Sequence, residues 1–512
     1  MNSTPIMPAE LGADAPVRAP RSTKERVAVV DIGSNSVRLV IYESLSRTTA
    51  TMHNEKTICS IGRDIEATGL LHKEGCELAL ESLRRFKLLA DGIGVSVREA
   101  VATAAARDAS NGPDFVRRAE AAWGAPVRVL SGKEEARLAA EGVIASIPDA
   151  DGLAADLGGG SLDMSMVKGG QSGEAASLPF GPLRLLGLTK GDIDKARQLI
   201  DAEFAKLPQF KTLDHRSLYV VGGIWRSFAR VDMLREQYPL HMLQHYTIPA
   251  GRALDLCSVL AKQGRKSLEL MQGVSKRRME LLPYGAVVLQ RLLAAAKFKD
   301  VVVSANGLRE GLLYEKLTDE ERAKDPLIDF ATVENARWSR SPAHALEMFH
   351  WCSPLFADEN AEFRRLRLAA CLLSDIGWRR HPDYRARGTH SEVLNMPFSG
   401  ADHRAREFIA AAVYHRYSGD EDMPGDMVTL GLLDKADAQR AFHIGMAARV
   451  AFDLSAAAPG ELSHYRLRLT PSKVVVEVPK RRGMIADETV KKRVGALASA
   501  LDRKGEILVG LG

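Results

Sequence analysis

The motif Asp31-Ile32-Gly33-Ser34-Asn35-Ser36-Val37-Arg38-Leu39 is echoed further along the chain by Asp156-Leu157-Gly158-Gly159-Gly160-Ser161-Leu162-Asp163-Met164. In each copy a β-rich run, Val27 to Val30 and then Gly152 to Ala155, delivers an Asp into a tight Gly/Ser turn, and a second apolar strand follows. A bend made mostly of backbone N–H groups and hydroxyls is an anion-binding nest. A carboxylate at the end of the first strand is well placed to hold Mg²⁺ against a phosphate. Two copies imply two lobes facing each other across a phosphate-binding cleft.

The rest of the chain bounds that reading. At 512 residues it is too long for one core, and three or four domains are expected. A hydrophobic content of 46% with 26% charged residues describes an ordinary soluble globular protein. The net charge of +5 suits a polyanionic ligand but falls far short of a nucleic-acid binder, so no nucleic-acid partner is expected. The five cysteines, Cys59, Cys76, Cys257, Cys352 and Cys371, are scattered and never spaced as CxxC. They fit a reducing cytoplasm and exclude a disulfide framework or zinc ribbon. No apolar run reaches membrane-spanning length, so no stable membrane insertion is expected. Residues 1–25, rich in Pro, Ala and small polar residues, read as a disordered tail without a secretory h-region.

Residues 26–148 alternate strand and helix patterns: Val37–Tyr42, Val97–Ala102 and Val127–Leu130 as strands, Leu78 to Ala90, Pro113 to Trp123 and Lys133 to Ile144 as helices. This is an α/β lobe. A polar break around Pro148 to Gly152 opens a second lobe, 149–318, with strands Leu218–Val221 and Val301–Val303 and a helix from Leu308 to about Leu317. Residues 319–457 carry helical patterns with hardly a strand, and 458–512 return to alternation as a small α+β segment.

Besides the two turns, three segments look functional. Ser131-Gly132-Lys133-Glu134-Glu135 opens a helix directly after a strand, and its acids also suit the helix dipole. Glu134 and Glu135 lie about 100° apart round a helix, so one of them points into a cleft. Thr103-Ala104-Ala105-Ala106-Arg107 follows a strand end, where Arg107 offers a planar fork to phosphate oxygens. Gly222-Gly223 and Ser304 to Gly311 are further Gly-bearing strand-to-helix turns, each weak alone.

Taken together and in order, these segments resemble the exopolyphosphatase / guanosine pentaphosphate phosphohydrolase (Ppx/GppA) family over roughly residues 26 to 318, with the remainder similar to the extension of its long bacterial members. The resemblance implies two ribonuclease-H-like lobes of the actin/Hsp70/sugar-kinase type. It implies Mg²⁺-dependent release of terminal orthophosphate from inorganic polyphosphate, or of the 5′ γ-phosphate from pppGpp, by what is commonly a homodimer. Its catalytic glutamate falls on Glu135, and its metal or water-positioning carboxylate on Asp156. Its phosphate-cradling positions fall on Ser34, Asn35, Ser36, Arg38, Arg107, Gly158, Gly159, Gly160 and Ser161. Asp31 and Asp163 are further metal candidates, although a Glu is common where this chain has Asp163, and the shorter arm reaches a metal only through water.

In the helical domain, Leu372-Leu373-Ser374-Asp375-Ile376-Gly377-Trp378, with His344, His350, His381, His390 and His415, looks like the core of HD-type phosphohydrolases. Ser374 replaces the His of the His-Asp doublet, so the domain is expected to be HD-like in fold and not catalytic. Its arginines, Arg364, Arg365, Arg367, Arg379, Arg380, Arg385 and Arg387, form either a basic path for a long anion or a solvated helix face. Exopolyphosphatase is the leading expectation, with pppGpp phosphohydrolase beside it. A sugar-kinase-like phosphotransferase and a non-catalytic alarmone-binding regulator are the alternatives from other classes.

Overall fold

Each Asp-Gly/Ser turn closes an antiparallel hairpin, and each hairpin seeds one sheet of a computed structural model that describes residues 25–207, 212–269, 278–425, 427 and 431–510. The tail expected over residues 1–25 lies outside these, Glu25 apart. In the first sheet β1 (Val27–Ile32) and β2 (Ser36–Tyr42) pair in register Asp31↔Arg38, and β3 (Thr51–Ile58) extends the meander. β4 (Val97–Ala102) and β5 (Arg128–Val129) then add in parallel, giving the order β3-β2-β1-β4-β5.

The second sheet repeats this plan. β6 (Gly152–Leu157) and β7 (Leu162–Lys168) pair in register Asp156↔Asp163, β8 (Gln171–Leu178) continues the meander, and β9 (Ser217–Val221) and β11 (Asp300–Val303) add in parallel. A short antiparallel edge, β10 (Thr247–Pro249), has no counterpart in the first sheet, so the order is β10-β11-β9-β6-β7-β8. The central strands are near-continuous runs of buried Val, Ala and Leu because helices cover both sheet faces.

Two helices lie between the sheets and belong to both. Helix Gly132–Ser146 turns Leu138 toward Val27, Val29, Val40 and Val101 of the first sheet. It turns Ala140, Val143 and Ile144 toward Ala154, Val167 and Tyr219 of the second. Helix Leu308–Glu315 does the same with Leu312 and Leu313 on one side and Tyr314 on the other. Placing the first of these wholly in the lobe ending at 148 therefore misses half of its packing. The two helices meet almost backbone to backbone: a Cβ on Gly142 would lie 2.1 Å from the Gly307 carbonyl oxygen, and one on Gly311 would lie 1.8 Å from that of Leu138.

Past this pillar the described residues form helices, among them Pro326–Trp338, Pro342–Cys352, Ala361–Leu373, Pro382–Asn395, His403–Ser418 and Lys435–Ser455. The chain ends in a sheet of order β12-β13-β14, built from β12 (Arg466–Leu469), β13 (Lys473–Val478) and β14 (Lys504–Val509). Helix Glu488–Ala500 is the crossover that makes β13 and β14 parallel. Four of the seven helical-domain arginines are already bonded to neighbours in the domain. Arg365 is bonded to Asp325 and the Gly400 carbonyl, Arg367 is buried on Glu359, Arg380 pairs with Glu392, and Arg385 donates to the Arg380 carbonyl. Among the described residues no helix is long and apolar enough to cross a membrane.

Gly311→Ala is expected to cost about 1–3 kcal/mol of unfolding free energy, the usual range for overpacking. Urea unfolding followed by circular dichroism measures it, and an unchanged midpoint would show that the helix crossing has slack.

Candidate functional site

The two hairpin turns face each other across a cleft, with the Ser34 hydroxyl 3.6 Å from where a Cβ on Gly160 would stand. Each turn is closed by the same bond, Gly33 N–H to the Ser36 carbonyl at 3.0 Å and Gly158 N–H to the Ser161 carbonyl at 3.0 Å. The bends between are left open. The amides of Ser34, Asn35, Gly159 and Gly160 donate to no described residue, so they are free for an anion. The cleft encloses about 790 Å³ and is lined by Asp31, Ser34, Asn35, Ser36, Arg38, Glu135, Asp156, Gly158, Gly159, Gly160, Ser161 and Asp163. All of these were candidates from the sequence. Gly222, at φ 112°, completes the floor. A Cβ there would meet the Leu157 carbonyl oxygen at 2.5 Å and Asp156 Oδ1 at 3.2 Å, so only glycine lets the chain pass beneath that carboxylate.

Helix Gly132–Ser146 assigns its two acids different tasks. Ser131 and Glu134 form a capping box: Glu134 Oε2 accepts from the Ser131 N–H at 2.9 Å, while Glu134 N–H donates to Ser131 Oγ at 3.3 Å. Hydrogen bonds from Arg128 and from Ser131 hold the Glu134 pKa down to about 2. Glu135, one position on, is buried and faces the cleft. Burial, with Asp163 nearby, raises its pKa to about 8 against the opposing pull of Arg107. Arg107 Nη1 donates to Glu135 Oε1 at 2.5 Å and to the Leu130 carbonyl at 2.9 Å, and its Nε to Asp108 at 3.0 Å. Arg107 is thus committed to the glutamate and is not among the residues lining the cleft.

The carboxylates Asp156 and Asp163 are directly opposed across β6 and β7. Burial, reinforced by Asp163, raises Asp156 to about 7. Burial also raises Asp163, to about 6, although the hydroxyls of Ser177 and Ser161 donate to its two oxygens at 2.5 and 2.7 Å. Both Asp163 oxygens are engaged, whereas the Asp156 carboxylate accepts no hydrogen bond from a described side chain and opens onto the cleft. Asp31 is paired with Arg309 at 3.3 Å.

Mg²⁺ takes one or two protein carboxylates and completes its octahedron with water and phosphate oxygens. The donor set fits that habit. Asp156 is unengaged and crowded by acids, and no group of three His, Cys, Asp or Glu side chains among the described residues forms a closed cage.

Four further cations line the cleft: Lys56 on β3 and Arg226, Arg278 and Arg309 from the second lobe. With Arg38 they crowd one another. Burial and then Arg309 lower the Arg38 pKa, and burial and then Arg278 lower that of Lys56. Burial lowers Arg226 as well, while Glu310 and Asp31 overcome burial to raise Arg309. Arg309 lies inside the Ser304 to Gly311 segment and Arg226 follows Gly222-Gly223, so both had a local signal. Lys56 and Arg278 had none, because only the tertiary fold brings them to the cleft.

A model of the Ppx/GppA phosphatase family matches residues 40–320, and one of the exopolyphosphatase C-terminal domain matches residues 328–508. Exopolyphosphatase 1 of Mycobacterium tuberculosis is 27% identical over 324 residues, spanning 61% of this chain and 93% of its own length. Retrograde regulation protein 2 of Saccharomyces cerevisiae is 28% identical over 448 residues, spanning 77% and 72%. Among solved structures, the Aquifex aeolicus member of the Ppx/GppA family is 25% identical with a TM-score of 0.50, covering 57% of this chain and 97% of that one. An exopolyphosphatase from Cytophaga hutchinsonii, 23% identical with a TM-score of 0.52 over the same shares, has the same fold.

The raised Asp156 pKa has a stability sign. In the unfolded chain the group ionises near its usual value of about 4, but when folded it stays neutral until about pH 7. Its contribution is therefore full below pH ~4 and is lost as pH rises toward 7. In chelator and without phosphate, Asp156→Asn is expected to melt above the wild type at pH 8, with the gap closing toward pH 4. A gap independent of pH would show that Asp156 ionises normally.

Proposed function

The chain belongs to the Ppx/GppA phosphatase family, and from that premise we propose that it is a Mg²⁺-dependent exopolyphosphatase, releasing orthophosphate from the end of inorganic polyphosphate. The observation that carries the choice of substrate is the cleft wall. Arg38, Lys56, Arg226, Arg278 and Arg309 converge on it from both lobes, and no aromatic side chain is among the described residues that line it. A linear polyanion engages such a wall along its length, whereas a guanine nucleotide leaves its base without a partner.

Hydrolysis of a phosphoanhydride is chiefly positioning and neutralisation of charge. The open amides of the two nests and the guanidinium groups of Arg38, Arg226 and Arg309 hold the oxygens of the terminal phosphoryl group. Asp156 would hold a Mg²⁺ ion, which would supply further charge neutralisation. Glu135 orients the attacking water and takes its proton as the new P–O bond forms. The bridging P–O bond breaks, and the shortened chain leaves carrying the electron pair on its terminal oxygen. Arg107 keeps the Glu135 carboxylate aimed and partly ionised in a site whose burial favours the neutral acid.

Glu135→Gln is expected to lower kcat on the order of 10²- to 10⁴-fold, the usual worth of a general base, with binding of polyphosphate retained. Equal loss of binding and turnover would make the residue structural. Because Glu135 must be ionised to act, kcat/KM should fall as the pH drops through about 8, and that limb should vanish in the variant.

Phosphate release from long-chain polyphosphate, from pppGpp, and from ATP with a sugar mixture tests the substrate. Preference for pppGpp would keep the mechanism and transfer the role to the alarmone. Phosphoryl transfer to a sugar, or tight binding with no release from any substrate, would overturn the proposal.

A further inference from the structure

The helical domain holds a second cationic cluster, built round Asp375 on residues distinct from those of the cleft. Arg340 clamps this carboxylate, with its Nε and backbone N–H on Oδ2 at 3.1 and 3.0 Å and its Nη2 on Oδ1 at 2.8 Å. Arg416 comes to the same Oδ1 at only 3.6 Å, too far for a hydrogen bond. Its guanidinium carbon stands 3.9 Å from the Tyr417 ring centroid and 3.8 Å from that of Phe452. Arg385 reaches the same Tyr417 ring, at 5.8 Å. His344 adds no charge of its own near neutral pH, since burial lowers its pKa to about 4 and leaves it neutral.

Packing alone does not account for Arg416. Other buried arginines of this domain have their terminal nitrogens bonded: Arg367 to Glu359 and the Phe349 carbonyl, and Arg406, whose Nε is likewise unpartnered among the described residues, through Nη1 and Nη2 to the carbonyls of Leu394, Met396 and Phe398. The guanidinium of Arg416, whose side chain is only 11% exposed, makes no hydrogen bond with a described residue. Its Nε and the Tyr417 hydroxyl are buried without a partner, while its terminal nitrogens are not sealed off. A buried guanidinium left in this state is costly, and the cost is removed by an acceptor.

We propose that Arg340, Arg385 and Arg416 form a second oxyanion site, which takes inorganic phosphate or the phosphate group of a phosphomonoester. Three guanidinium groups against one carboxylate leave two positive charges uncompensated. A phosphate dianion matches that excess, and its tetrahedral oxygens meet the guanidinium of Arg416 and the N–H groups that Arg340 and Arg385 have not already given to Asp375 and the Arg380 carbonyl. A carboxylate ligand supplies one charge in one plane and satisfies neither condition.

Labelling of arginines in the full chain with phenylglyoxal, mapped by mass spectrometry, tests the site without altering it. Orthophosphate in one arm and phenyl phosphate in the other, at ten times the dissociation constant, are expected to slow labelling of Arg340 and Arg385 about 10-fold. Exposed Arg379 serves as the unprotected reference. Protection by orthophosphate alone identifies the free anion as the ligand; protection by both extends it to the monoester. Protection confined to Arg38, Arg226, Arg278 and Arg309 of the cleft, or none at all, would overturn the proposal. In Arg385→Gln, protection of Arg340 should be lost while hydrolysis in the cleft continues at the wild-type rate. Retained protection of Arg340 in that variant would equally overturn it.

Discussion

The near-contact of helices Gly132–Ser146 and Leu308–Glu315 is the constraint on which the site depends. Gly142 and Gly311 let two helix backbones approach so closely that no side chain fits between them. Each helix can then bury one side in the first lobe and the other in the second. The first helix carries Glu135 at its start, and the second carries Arg309 in its first turn. The position of the buried acid Glu135 relative to the cleft cation Arg309 is therefore set by a glycine contact elsewhere along the two helices. Tyr42 donating to Glu310 at 3.0 Å, and Arg309 paired with Asp31, tie the same crossing to the first hairpin.

Duplication of the hairpin gives the cleft its electrical asymmetry. The two copies share their turn bond and strand register, yet the residue opposite the first Asp is Arg38 and the residue opposite the second is Asp163. One lobe thus presents a carboxylate beside a cation, and the other presents two carboxylates side by side. Burial, and then the neighbouring Asp163, raise the pKa of Asp156, and such an acid pair suits a divalent cation. The cation-bearing wall suits the anion that such an ion accompanies. Burial amplifies both effects, because neither set of charges is fully screened by water.

Arg107 shows where sequence reasoning ran short. Its motif marked it as a phosphate ligand, but the fold turns its guanidinium to Glu135 and the Leu130 carbonyl. A short segment after a strand reveals that an arginine is near a site, not which of two neighbouring anions it will choose. Lys56 and Arg278 illustrate the opposite failure. Each is unremarkable in its own segment, and each becomes a cleft residue only when β3 and the second lobe are brought together. The helical domain's arginines divide on the same principle, since burial commits Arg367 and leaves Arg416 without a bonded partner.

The sequence by itself determined the hairpins, the nests, that one of Glu134 and Glu135 points inward, and the change from α/β lobes to helices. These follow from local rules: the period of apolar residues, the conformational range of glycine, and the reach of a capping side chain. Tertiary structure alone decided that the Glu135 helix is shared between lobes, that Asp163 is held by two serines, and that five cations converge on one wall. Those outcomes depend on which distant segments are neighbours, and the electrostatics of a buried group are the sum over all its neighbours. No window along the chain contains that sum.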